Sequence, residues 1–154
     1  MKSFLVGVFL AATFIQPHSH AQQAKIDFAG TWKLDPARSA SAAFGPVTVV
    51  ISQSPGELKI NTTKEGESNE VTYKLDGSEL KTPRWISKAR WDGPALVTEV
   101  TGLVQNQAVS AKETRTLSAD GNEMLVDIVL IVQHGYSPIT SNYGGGKDVY
   151  VRSR

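Results

Sequence analysis

The stretch FAGTWKLD, residues 28–35, poses the question on which the fold turns: whether Trp32 is packing or part of a binding site. The rest of the chain settles the class of structure. From Val47 onward the sequence is a succession of short β-branched and aromatic runs interrupted by turn residues, with no sustained 3.6-residue periodicity. Ser54-Pro55-Gly56-Glu57 separates VTVVISQ from LKINTT, and KEGES at 64–68 separates that run from EVTYKL. Asp76-Gly77, Asp92-Gly93 and Asp120-Gly121 sit between further alternating segments. An Asp-Gly pair so placed is a hairpin signal, because Gly supplies the positive φ that tight turns need.

Ten strands are predicted, near residues 28–35, 47–53, 57–63, 69–75, 78–82, 85–91, 95–102, 107–117, 123–132 and 148–153. Links this short join antiparallel neighbours, so the sheet is an up-and-down meander. A sheet of this length has two exposed edges, and closing it into a barrel removes both. The predicted fold is all-β, a single antiparallel up-and-down barrel of about 8–10 strands, with a flattened β-sandwich as the alternative. Two segments break the rhythm. Pro36–Gly45 (PARSASAAFG) is expected to hold one short helical turn. Gln133–Lys147 (QHGYSPITSNYGGGK) is read as a 15-residue loop, of the length at which loops in compact domains are functional or disordered.

The chain opens with Met1-Lys2, the apolar run FLVGVFLAATFI at 4–15 and the polar stretch QPHSHAQQ. This is the pattern of a secretory signal peptide, too short in its apolar part for the ~20 residues of a membrane span. Residues 1–21 are therefore expected to be cleaved after Ala21, leaving 22–154 as one barrel domain, periplasmic or secreted, without a membrane span and monomeric. Lys2 is the one charged residue removed, which leaves 15 basic against 15 acidic residues. With no basic excess to neutralise phosphates, nucleic acid is not an expected partner. The chain has no cysteine, which excludes disulfides, thiolate metal sites and cysteine nucleophiles.

Against this background Gly30-Thr31-Trp32, on the first strand of an antiparallel barrel, resembles the lipocalins and fatty-acid-binding proteins, the calycins. The resemblance implies that Trp32 plugs one end of the barrel against an Arg of the last strand, here Arg152 or Arg154, with Gly30 part of the same structural plug. The stretch GTWKLDP looks still more like a group of small secreted bacterial proteins of unknown activity that open with GTWKL followed by Asp-Pro or Asn-Pro.

Catalytic chemistry has little to draw on. His18 and His20 fall in the expected signal peptide, leaving His134 as the one mature histidine, so ordinary zinc and non-haem iron sites lack ligands. A Ser-His-Asp arrangement would need His134 with Ser137 or Ser141 in the same loop, and no nucleophile elbow is present. Asp92, Glu99, Glu113 and Asp127 lie on or beside strands; Asp92 is explained by its turn, and the other three are expected on a solvated sheet face. Gly144-Gly145-Gly146-Lys147 lacks the Gly and the Ser or Thr of a phosphate loop and is read as a flexible turn.

Binding residues are sought on the barrel's inner face, where a ligand cavity tolerates polar groups among apolar ones. Val109, Ala111, Glu113, Arg115 and Leu117 share one face, and Tyr150 shares another with Arg152. If these faces point inward, Arg115, Tyr150 and Arg152 can hold the carboxylate of an apolar ligand. Alternatively Arg152 stacks on Trp32. Trp85 and Trp91 share a face with Ser87 and Ala89 between them, leaving room for a ligand or for a neighbouring strand. The expected function is binding of a small hydrophobic or amphipathic molecule without catalysis, cofactor or metal. The alternative is a solid-core domain acting as a protein-interaction or inhibitor module through the 133–147 loop.

Overall fold

The computed structural model describes residues 26–104, 106–133 and 140–153; the expected signal peptide, His134, Ser137 and Arg154 lie outside them. Its strands are β1 (Gly30–Leu34), β2 (Val47–Gln53), β3 (Glu57–Lys64), β4 (Glu67–Lys74), β5 (Leu80–Lys81), β6 (Trp85–Asp92), β7 (Ala95–Val104), β8 (Gln107–Leu117), β9 (Glu123–Gln133) and β10 (Thr140–Arg152). All pair antiparallel in the order β4-β3-β2-β1-β10-β9-β8-β7-β6-β5. The first and last strands pair with each other, so the free edges fall in mid-chain, at β4 and β5. There β4 packs against β5 and β6, and the sheet forms a nearly closed barrel.

The turn residues act as their chemistry requires. Glu65 and Gly66, both at positive φ, make the two-residue link between Lys64 and Glu67, the geometry that matches the twist of paired strands. Gly93 and Gly121 take positive φ in the β6–β7 and β8–β9 links. Asp76-Gly77 departs from expectation. Gly77 has φ 84° and the Asp76 carboxylate accepts the Ser78 N–H, so a turn forms. Yet β5 is two residues long and pairs only with β6, so no hairpin ladder follows. Pro83, which has no N–H to donate, stands just beyond β5.

The reading of Gln133–Lys147 as one long loop is corrected. Thr140–Lys147 belong to β10, which pairs with β9 through a bulge between Asn142 and Gly145. The glycines there serve close approach. A Cβ at Gly146 would lie 2.5 Å from the Cβ of Ala40, and one at Gly145 would lie 3.0 Å from the Ile128 carbonyl. Ala40 belongs to a 3-10 turn, Ala40–Phe44, within the segment expected to hold one. The turn is tied to β10 by the Ser41 N–H donating to Asp148 Oδ1 at 2.9 Å and by Ser39, whose hydroxyl donates to the Val149 carbonyl and accepts its N–H.

The core lies toward the end where β1 begins. Phe28, Trp32, Leu58, Leu96 and Met124 are fully buried there. The Trp32 indole donates to the Phe28 carbonyl at 2.9 Å. Arg152, opposite Trp32 across the β1–β10 pair, sets its guanidinium 4.2 Å from the ring centroid. Gly30 permits this: its φ of +138° is a region left to glycine, and a Cβ there would lie 2.7 Å from Arg152 Nη1. Gly-x-Trp is thus a device for seating the arginine on the tryptophan.

Candidate functional site

Above the plug the barrel is not filled. A cavity of about 220 Å³ is lined by β3 (Ile60, Thr62), β4 (Asn69, Val71, Tyr73), β7 (Thr98, Val100) and β8 (Ala111, Glu113, Arg115). These positions alternate along each strand, as inward-facing residues of a barrel must. The apolar wall comes from Ile60, Val71, Val100 and Ala111, and the polar floor from Tyr73, Thr98, Glu113 and Arg115.

Arg115 is buried, and a guanidinium so far from water needs hydrogen-bond partners. Its Nη1 donates to Thr98 Oγ1 at 2.6 Å and its Nη2 to Glu113 Oε2, an ion pair between neighbours on one face of β8. Its Nε–H has no partner. Burial pushes the Tyr73 hydroxyl up to about 12; the charge of Glu113 adds to this, while Arg115 and a hydrogen bond with Thr98 oppose it. The Tyr150 hydroxyl is also raised, first by burial and then by the charges of Asp148 and Glu113, with Arg115 opposing. Both phenols therefore stay neutral.

Of the residues expected to bind a ligand, the structure places Arg115 on the cavity wall and Tyr150, buried, within reach of the same charges. It does not bring Trp85, Trp91 or Arg152 to them. Arg152 belongs to the plug: its Nη1 donates to the Ala29 carbonyl at 2.5 Å and its Nε to the Gly121 carbonyl at 2.9 Å. Trp91 packs on Phe28 at the plugged end, with ring centroids 6.1 Å apart. Trp85, opposite Gly102 near the other end, carries Arg84 over its ring at 5.5 Å. The space between the two tryptophans is taken by protein, since buried Ser87 donates across the open seam to the Thr72 carbonyl of β4 at 2.7 Å. Arg115 does not meet a carboxylate unpartnered, because Thr98 and Glu113 each accept from one of its terminal nitrogens.

Glu113 is the residue misjudged in the sequence. Glu99 and Asp127 do lie outside, paired with Lys88 and Lys147, but Glu113 faces the cavity. Its signal was its place two residues before Arg115 on a face otherwise made of Val109, Ala111 and Leu117. Tyr73 and Thr98 were also missed, although each alternates with an apolar neighbour, Val71 and Leu96. Among the described residues, no group of three His, Asp or Glu side chains is placed to hold a metal, and no helix is long and apolar enough to cross a membrane.

This arrangement, ten antiparallel strands around an interior part apolar and part polar, resembles in fold the barrels of the fatty-acid-binding-protein type. No protein-family model matches the sequence, and no curated protein is similar to it in sequence. Solved structures do resemble it. Lipid binding protein 8 of Caenorhabditis elegans superimposes with a TM-score of 0.56 at 15% identity, over 82% of this chain and 95% of that one. Human cRBP IV gives a TM-score of 0.54 at 19% identity, over 83% and 99%. The fatty acid-binding protein of Drosophila melanogaster brain tissue gives 0.53 at 18%, over 81% and 99%. At these identities the likeness establishes the fold.

Proposed function

We propose that this protein binds one small amphipathic molecule inside the barrel and releases it unchanged, and that it does so outside the cytoplasm. The observation that carries the reading is the cavity itself, a partly apolar space of about 220 Å³ whose lining includes the buried Arg115. That space exceeds the ~150 Å³ cavity that holds benzene and falls below the ~300 Å³ at which ordinary ligand pockets begin, so the guest is compact. Support also comes from structural neighbours named for lipid binding and for fatty-acid binding. The leader FLVGVFLAATFI supports export. The two phenols stay protonated and the ion pair is self-neutralised, a floor suited to hydrogen bonding rather than to proton transfer.

Two measurements test this. Native mass spectrometry of the protein purified from its own host should show a co-purifying small molecule. Amide NMR during titration with 1-octanol should move the signals of Val71, Tyr73, Val100 and Ala111 saturably. No adduct, together with shifts absent there or confined to the outer face, would refute the reading.

A further inference from the structure

The cavity carries its own carboxylate. Of the three nitrogens of the Arg115 guanidinium, one donates to Thr98, one to Glu113, and Nε–H to nothing, although the residue is only 5% exposed. The other lining residues are uncharged. The floor therefore has no net charge, and Arg115 keeps N–H groups beyond the two that donate to Thr98 and Glu113.

We propose, resting on the binding function above, that the site selects an uncharged ligand on a short apolar body: an alcohol, aldehyde, ketone or ester whose oxygen accepts from the Arg115 guanidinium. It discriminates against a carboxylate of the same length. An uncharged oxygen gives a buried guanidinium a further acceptor, and a buried donor left unmet is costly. A carboxylate brought to the same guanidinium stands beside Glu113, and two carboxylates sharing a site repel. Like-charge contacts of this kind lower affinity by a factor on the order of a hundred. Glu113 acts here as a specificity-determining residue: it already pairs with Arg115, the cation that an acidic ligand would require.

Calorimetric titration of the protein with 1-octanol and with octanoate at neutral pH tests the proposal. 1-Octanol should bind more tightly than octanoate by about tenfold or more. Glu113→Gln keeps the shape and removes the charge, leaving Arg115 uncompensated; octanoate should then equal or surpass 1-octanol. Octanoate binding as tightly as 1-octanol to the unaltered protein overturns the selectivity while leaving the binding function standing, and this comparison needs no variant to fold. A ratio unchanged in a folded Glu113→Gln protein overturns the role of Glu113. Binding of neither probe to either protein overturns the binding function, and the selectivity with it.

Discussion

Replacing Arg152 separates the plug from the pocket. Its Nη1 and Nε donate to the Ala29 and Gly121 carbonyls at 2.5 and 2.9 Å, and its guanidinium lies 4.2 Å from the centre of the buried Trp32 ring. Hydrogen bonds from a charged donor contribute about 1.5–3 kcal/mol each; Arg152 is only half-buried, so the lower figure applies and the two together give about 3 kcal/mol. The stacked cation adds about 1 kcal/mol, and the packing that a methionine stem regains offsets about the same. Arg152→Met should thus lower the free energy of unfolding by about 3 kcal/mol, a fall in Tm on the order of 10 °C. Arg152→Lys keeps the charge but not the planar fork that reaches both carbonyls, and should lose about half as much. Urea denaturation gives both values, and calorimetry on folded protein gives the affinity for 1-octanol, which should not change. An Arg152→Met protein within about 1 kcal/mol of the parent, or one that stays folded and loses octanol affinity, would refute the assignment of Arg152 to the plug.

Gly30→Ala should cost about 2–3 kcal/mol in urea denaturation, because a φ of +138° is strained for any side chain and the new methyl displaces Arg152 from Trp32; a neutral result would mean that the β1 backbone relaxes freely. Tyr73 titrates from 10.0 when unfolded to about 12 when folded. The native state therefore holds its proton longer, and the stability this confers is complete below pH 10 and is lost as pH climbs toward 12, by about 1.4 kcal/mol per pH unit. Tyr73→Phe should flatten that share of the alkaline decline in urea midpoints, and an equally steep decline would show that the phenol is not held neutral by burial. Asp148→Ala removes the acceptor of the Ser41 N–H and should cost about 1–2 kcal/mol, with faster hydrogen exchange at that amide. Asp148→Asn, which keeps a carbonyl oxygen, should retain most of the protection, and equal exchange in both would discount the bond.

The barrel was legible because its signals are local. Positive φ at Gly66, Gly93 and Gly121 and the alternation between them place strands and turns without knowledge of distant contacts. The stacking of Arg152 on Trp32 was legible as one of two roles open to Arg152, taken with the calycin resemblance. What escaped depends on residues remote in sequence. Glycine weakens a strand, so Gly145 and Gly146 read as a loop until Ala40, over a hundred positions earlier, is seen resting where a Cβ of Gly146 would stand. The spacing of Trp85 and Trp91 correctly placed both on one face. It carries no sign that the barrel's open seam falls between β4 and β5, which lets β4 come near enough for Ser87 to bond its backbone.

Glu113 shows how two sound rules conflict on the wall of a cavity. Acidic side chains belong in water, and inward positions of a barrel alternate; on β8 the two cannot both hold, and the chain resolves the conflict by placing Arg115 two residues on, so that the pair enters as a neutral unit. That resolution also sizes the cavity. The ion pair and Tyr73 bound it and are held unequally: Glu113 keeps solvent contact, whereas Tyr73 is 4% exposed and held in the core cluster. A long-chain guest would have to move Tyr73 at the cost of core packing, while a short uncharged one need move nothing. The same side chains that make the floor neutral also bound the pocket, so the size and charge selection proposed for it would have a common cause.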